Sequence, residues 1–364
     1  MIGVKFELMM AKCYIFELSM SMKQLDRQSS NALRSRSCVL FPGALGDFIC
    51  LLPALQTLAR DCEVDLFARS EFADIVASEV TVHSLESHEV SRLFTANIAE
   101  DQPSQNFFGA YAAVYSWLGS RQSDFVQRLR ALSGGRAQIF PFQPDDSETH
   151  HMDYYLGCLR RHSAVSRQPQ VALRPEGIAW CAHFWSAREL HHRPVLVIAP
   201  GSGAREKNWP EEFFLAVVEW WRQAVNGAVV LLTGPVEEER GGTDRLRHRC
   251  IVASDLTLSR AAALLARCDV YLGNDSGITH LAAIAGVRTV ALFGPSNARQ
   301  WAPRGRRVTI VSRNIECSPC QIPMMKSCPH HACLSELHPK DVIGVMAALP
   351  EVVTLTRMGA GIKV

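Results

Sequence analysis

Twice in this chain, short apolar runs alternate with glycine- or proline-marked turns and helical stretches. That alternation limits the fold more than any other feature of the sequence. The first series opens near Ser37: "CVLFP" reads as a strand, "GALGD" as a turn, and "FICLLPALQTLAR" as a helix in spite of Pro53. "CEVDLFA" is a second strand, a helix is expected from Ser70, and "AAVYSWL" is a later strand of the same sheet. The second series runs "PVLVIAP" (strand), "EEFFLAVVEWWRQAV" (helix), "GAVVLLTG" (strand), "LSRAAALLARC" (helix), "DVYLG" (strand), "SGITHLAAIAG" (helix) and "RTVALFG" (strand). Units this short build parallel, doubly wound sheets. Between the two series, residues 144–192 are polar and contain proline, with one helix-like piece near Asp153–Arg160, and the domain connection is expected late in this region, near Ala187–Arg193. The division expected is a poorly ordered leader at 1–36, Rossmann-like domains at 37–188 and 189–350, and a tail at 351–364. Two such domains facing each other leave a cleft at the carboxyl ends of their strands, where ligands of these sheets bind.

Composition narrows the partners. A length of 364 residues suits two ordinary domains, and 48% hydrophobic against 20% charged residues can supply their cores. A formal net charge of +2 with no basic stripe argues against nucleic acid. No apolar run reaches the roughly 18–20 residues needed to span a bilayer. Lys5, Glu7, Lys12 and Glu17 interrupt the N-terminus, which lacks a small-residue cleavage site and makes a poor signal peptide; Met20 and Met22 are alternative starts. Of 12 cysteines, eight stand singly in apolar settings such as "SCVLF" and "ARCDVYL", the usage of reduced thiols packed in a cytoplasmic core.

The polar loops between these elements carry the chemistry. In "GNDSGITHLAAIAGV", Asp275, Ser276, Gly277 and Thr279 open a helix directly after a strand. One capping side chain would suffice there; a run of small polar residues also leaves backbone N–H groups open to an anion such as a diphosphate. His280, one turn in, either meets that ligand or packs. In "PGALGD", Gly43 and Gly46 flank a tight turn that leaves Asp47 at a helix start, either as a cap or as a carboxylate held in the cleft as general base. The third glycine of a dinucleotide fingerprint is missing. "GSGAREKNWP" departs from the phosphate-loop pattern, yet its Gly/Ser turn followed by Arg205 and Lys207 suits an anionic ligand as well as it suits a solvated loop. The glutamates of "TGPVEEER" read, on their own, as an acidic helix start.

Taken in order, "PGALGDFICLLPALQTL", "PGSGAREKNWP", "TGPVEEE", "YLGNDSGITHLAAIAGVRTVALFGPSNARQWAPRG" and the cysteines that follow resemble glycosyltransferase family 9, the ADP-heptose:lipopolysaccharide heptosyltransferases. The resemblance covers roughly residues 37–350. It implies the two-domain GT-B fold and an inverting transfer from a nucleotide-activated sugar. By position, Asp47 matches the catalytic base, and Ser202 and Lys207 the phosphate-loop contacts. Glu237 matches the acid near the ribose, and Leu256 the place where backbone meets adenine. Asp275 matches the carboxylate near the donor sugar, and Ser276, Gly277 and His280 the surroundings of the diphosphate. Gly203 stands where a second hydroxyl residue is expected, and "GNDSG" replaces a more usual Asp-Thr-Gly, so the donor is less firmly implied than the reaction.

No Asp-x-Asp triplet is present, so leaving-group charge is expected to fall on Lys207 and the helix start at 275–280, with no cofactor required. The donor implied is ADP-heptose and the acceptor a lipid-anchored core glycan. The place of work implied is the cytoplasm, with transient contact at the inner face of the inner membrane. The rivals are a family member using another nucleotide-sugar or acceptor, and a non-catalytic sugar-nucleotide binder. Cys317, Cys320, Cys328 and Cys333, spaced C-x2-C-x7-C-x4-C, form a candidate structural zinc site, with His330 or His331 as alternative ligands and a compact loop of reduced thiols as the plainer reading.

Overall fold

The computed structural model describes residues 34–95, 101–159, 169–320 and 322–360; the expected leader, up to residue 33, lies outside them. The chain from Arg36 onward forms one compact unit holding two parallel sheets. The first has the order β3-β2-β1-β4-β5, built from β1 (Arg36–Leu40), β2 (Glu63–Ala68), β3 (Val80–Ser84), β4 (Ala113–Ser116) and β5 (Ala137–Ile139). Its helices are α1 (Leu45–Asp61), α2 (His88–Thr95), α3 (Gln102–Gly109) and α4 (Ser123–Leu132). Instead of the helix expected from Ser70 there is a single 3-10 segment, Ser70–Asp74, whose Phe72 is buried and stacked on Phe48.

The second sheet has the order β11-β10-β9-β6-β7-β8 and consists of β6 (Val195–Ala199), β7 (Ala228–Leu232), β8 (Ile251–Ala253), β9 (Val270–Asn274), β10 (Arg288–Phe293) and β11 (Val308–Ser312). β6, β7 and β9 are buried at every position, which is why they read as unbroken apolar runs. Each sheet changes winding direction at one place, between β1 and β4 in the first and between β6 and β9 in the second. Open α/β sheets bind ligands at that switch point.

The region read as a polar connection holds two helices, α5 (His151–Cys158) and α6 (Pro175–Ala187). Pro175 starts α6 with its φ already suited to a first turn. Cys181, Phe184 and Trp185 then turn one face inward against a helix of the second half, α10 (Leu258–Arg267). Gly177 permits the approach, since a Cβ there would lie 2.4 Å from Ser259 Oγ. The segment expected to be a tail is also structured. Helix Pro350–Ala360 buries Val352, and Glu351 receives both arms of Arg288 at 2.8 and 2.9 Å.

α1 runs unbroken through Pro53, although an internal proline costs about 3 kcal/mol. Packing outweighs that cost, because nearly every residue from Phe48 to Ala59 is buried. α1 is covered by the first sheet, by α5 and by α11 (Gly277–Ala285) of the second half.

Candidate functional site

The loops after β1, β6 and β9 converge where α1 and α11 begin. Gly46 and Gly277 make the approach: a Cβ on Gly277 would stand 2.8 Å from Leu45 Cβ and 2.9 Å from Gly46 N. One helix start from each half of the molecule is thus brought to the same place.

On the first side, Asp47 Oδ2 accepts the Ala44 N–H at 2.9 Å, so this residue does cap its helix. It does so while half-buried, and desolvation raises its pKa above the ordinary carboxylate value. The Ala44 hydrogen bond, its own N–H and the charges of Lys207 and Arg69 oppose that rise without cancelling it. A carboxylate made more basic by burial is a better proton acceptor near neutral pH than an ordinary one. The two roles weighed for Asp47 in the sequence are therefore compatible.

On the second side, Asp275 is buried and takes Lys207 Nζ at 2.9 Å. Lys207 retains 27% of its side-chain exposure, so its ammonium is held by Asp275 yet open to a ligand. The polar cluster around Asp275 does more than present N–H groups. Asn274, fully buried, ties two loops together: its Oδ1 accepts Trp209 N–H at 3.1 Å and its Nδ2 donates to Pro200 O at 2.6 Å. Thr279 Oγ1 donates to Asn274 O at 2.5 Å and lies within hydrogen-bonding distance of Tyr271 OH (2.8 Å) and Ser276 Oγ (3.1 Å). Asn274 and Thr279 therefore fix the loop, and Ser276, Gly277 and the N–H groups of the first helical turn form an arrangement able to take an anion.

Ser202, also buried, holds the turn after β6: its hydroxyl is 2.6 Å from Ala204 O and 2.7 Å from Asn208 Oδ1. Glu237, in α8 (Pro235–Arg240), caps its helix by accepting Gly234 N–H at 2.7 Å. Its other oxygen lies against Gly201, where a Cβ would fall 1.6 Å from Oε1. Glu237, Gly201, Ser202, Arg205 and Trp209 line one cavity beside the Lys207 loop. Leu256 is half-buried in the loop between β8 and α10 and packs on the core.

His280 is buried, and that burial pushes its pKa down to about 4, so it is neutral at pH 7. Its Nδ1 lies 4.0 Å from Cys50 Sγ, across the seam between the halves. The ring packs in the seam as a neutral imidazole, so any contact it made with a ligand would be a hydrogen bond and not a charge.

Sequence reasoning missed a strap that spans the two halves. The segment after β10, with α12 (Ala298–Trp301) at its centre, reaches residues 146–153 of the first half. Asn297 Nδ2 donates to Ser147 O at 2.8 Å and Gln300 Nε2 to Asp146 O at 3.0 Å, while Arg304 holds Asp153 with two bonds of 2.5 and 2.6 Å. His150 and His151 are buried here. Nδ1 of His150 accepts Met152 N–H, which leaves its Nε2–H to donate to Ala302 O at 2.8 Å. His151 stacks on Trp301 with ring centroids 3.5 Å apart, and burial lowers its pKa to about 4. The partners are some 150 residues apart in the chain, and no local pattern announces them.

Against this geometry stands a family match: residues 149–328 fit the model of glycosyltransferase family 9 (heptosyltransferase). The chain belongs to glycosyltransferase family 9. Lipooligosaccharide heptosyltransferase 2 of Campylobacter jejuni is 30% identical over 161 residues, which are 42% of this chain and 49% of that one. The chain thus spans about half the length of these curated relatives. Among solved structures, a family 9 glycosyltransferase from Veillonella parvula has a TM-score of 0.66 at 19% identity, covering 90% of this chain and 99% of its own. A heptosyltransferase from Escherichia coli, solved with ADP, has a TM-score of 0.56 at 18% identity, covering 85% and 98%. These likenesses make the family 9 architecture, the GT-B fold, that of this chain. Among the described residues, no helix is long and apolar enough to cross a membrane.

Proposed function

We propose that this family 9 chain is an inverting glycosyltransferase that moves a heptose from ADP-heptose to a lipid-anchored lipopolysaccharide core acceptor. The observation that carries the reading is the meeting of two unlike helix starts at Gly46 and Gly277, one bearing a basic carboxylate and the other open N–H groups beside Lys207, which Asp275 holds. In the reaction, an acceptor hydroxyl attacks the anomeric carbon from the face opposite the diphosphate. Its proton passes to Asp47, the new C–O bond forms, and the bond to the β-phosphate oxygen breaks with its electron pair leaving on ADP. Lys207 and the first turn of α11 stabilise the charge that develops there. Glu237 is the residue for the ribose hydroxyls, Ser202 shapes the phosphate loop, and the backbone near Leu256 faces the adenine. We assign the work to the cytoplasmic face of the inner membrane, where the acceptor's lipid is anchored and contact is transient.

The test is direct. Purified protein, ADP-heptose and a heptose-free core acceptor should release ADP and add one heptose mass, with the product in the opposite anomeric configuration. Calorimetric titration should show ADP binding in preference to UDP. A preference for UDP would overturn the donor, and release of ADP without glycan product would overturn the acceptor.

A further inference from the structure

The loop after β11 gathers Cys317, Cys320, Cys328 and Cys333 around one small cavity, and among the described residues no His, Cys, Asp or Glu group is arranged to hold a metal. A charge with no assigned task lies closer to the reaction. β2 ends at Ala68, and Arg69 follows at once. β2 is the parallel neighbour of β1, with Leu40 paired to Phe67 and Phe41 N–H donating to Phe67 O at 2.9 Å. Arg69 therefore leaves the sheet beside the turn that runs from β1 to Asp47, at the carboxyl ends where these sheets take their ligands.

The element that carries Arg69 is firmly held, and its guanidinium is not. Phe72 N–H donates to Arg69 O at 3.1 Å and closes the 3-10 turn, while the Phe72 ring stacks on Phe48, the residue after Asp47, with centroids 4.1 Å apart. Arg174 bonds Ala73 O at 2.8 Å and Val76 O at 3.0 Å, and Asp74 accepts the Ser259 N–H of α10 at 3.2 Å. Arg69 itself is exposed, and its side chain makes no hydrogen bond or ion pair among the described residues. Arg36, Arg92, Arg136 and Arg174, elsewhere in the first half, each bond an acid or a carbonyl.

Arg69 lies within electrostatic range of Asp47 and, with Lys207, opposes the rise that burial gives this carboxylate. Tyr155 and Cys50 also face Asp47, but burial pushes both of them up, so neither carries charge near neutral pH. Lys207 is already engaged by Asp275. Arg69 is thus a free cation beside the base, and a free cation makes a carboxylate a poorer proton acceptor. That cost disappears when an anion covers the guanidinium, and a planar fork of donors suits a carboxylate or a phosphate.

We propose that Arg69 is a specificity-determining residue: its guanidinium binds a carboxylate or phosphate of the acceptor glycan beside the hydroxyl that Asp47 deprotonates. The inference rests on the acceptor and the base assigned above, and adds the charge that the acceptor must carry. Binding has a second consequence. The acceptor's own anion neutralises Arg69, so Asp47 becomes a better base only once the correct acceptor is in place. A neutral glycan of the same shape leaves the cation uncovered and is used less well.

The experiment uses the full-length protein with ADP-heptose and a heptose-free core oligosaccharide freed of its lipid, so that no membrane charge enters. Arg69→Gln should raise KM for this oligosaccharide about 10- to 100-fold, while Kd for ADP stays within about twofold. Arg69→Lys should recover part of the loss, because it keeps the charge without the fork. In the unaltered protein the acid limb of kcat should lie at higher pH than that of kcat/KM, and in Arg69→Gln the two limbs should draw together. Removing the phosphates from the oligosaccharide, or amidating its carboxylates, identifies the anion. One treatment should reproduce the KM of Arg69→Gln and leave that variant with nothing further to lose. An Arg69→Gln protein with unchanged KM and unchanged limbs would overturn the inference while leaving the transferase reading intact. Failure of the unaltered protein to bind or glycosylate the oligosaccharide would instead overturn that reading, and this inference with it.

Discussion

The two helix starts at the centre of the molecule use the same local chemistry to opposite ends. Each follows a strand at a switch point, and each puts glycine where the other helix approaches and aspartate nearby. At α1 the carboxylate is held by backbone N–H groups and not by a cation, and burial makes it more basic. At α11 the carboxylate is tied to Lys207, and Asn274 and Thr279 lock the loop behind it. The comparison teaches that an Asp at a helix mouth has no fixed meaning: what faces it decides. Without a direct cation it can take a proton, and with one it becomes the anchor that holds a lysine where an anion arrives.

The largest effect should come from removing the proton acceptor. Asp47→Ala is expected to lower kcat by about 10²–10⁴, measured as ADP release with saturating substrates. A loss under tenfold would remove the distinction between the two mouths. On the other side, Lys207→Ala leaves Asp275 buried and unpaired. Because Lys207 is partly exposed, the cost in nucleotide affinity should be about 1–3 kcal/mol, or roughly 5- to 150-fold in Kd by calorimetry. Gly277→Ala tests the contact itself. The added methyl meets Leu45 and the Gly46 backbone, and should cost about 1–3 kcal/mol of stability, seen as a lower Tm. No change would mean that the helix starts separate freely.

A separate effect, on stability and not on the two helix starts, concerns pH. His280 and His151, at the seam, have folded pKa values near 4, below the roughly 6.5 of an unfolded histidine. Between those values the unfolded chain binds protons that the folded one refuses. Their contribution is therefore whole above about pH 6.5 and is lost as pH falls towards 4, on the order of 3 kcal/mol for His280 and less than twice that for the interacting pair. Urea titrations at pH 7 and pH 4.5 should show the slope, and His280→Gln should flatten it.

The sequence displayed the interior of this fold better than its margins. The strands legible as apolar runs are β1, β2, β4, β6, β7, β9 and β10; β3, β5, β8 and β11, which gave no clear run, are the four edge strands. An edge strand has less to bury, so its pattern is diluted: β3 and β11 each bury only one of their five residues. The same reasoning applies to the site. Gly, Ser and Asp directly after β1, β6 and β9 were visible, because a strand end and a helix start lie side by side in the chain. Asn274 as a cross-tie, His150 and His151 beneath Trp301, and Arg304 on Asp153 were not, because each acts on a partner far away in sequence.

The central claim is a division of labour, with proton transfer at α1 and nucleotide binding at the second half. Calorimetric titration of ADP into the Asp47→Ala protein tests it most directly. The account predicts a Kd within about twofold of the unaltered protein, since no nucleotide contact is assigned to Asp47. A tenfold or greater loss of ADP affinity in a protein with an unchanged Tm would contradict it.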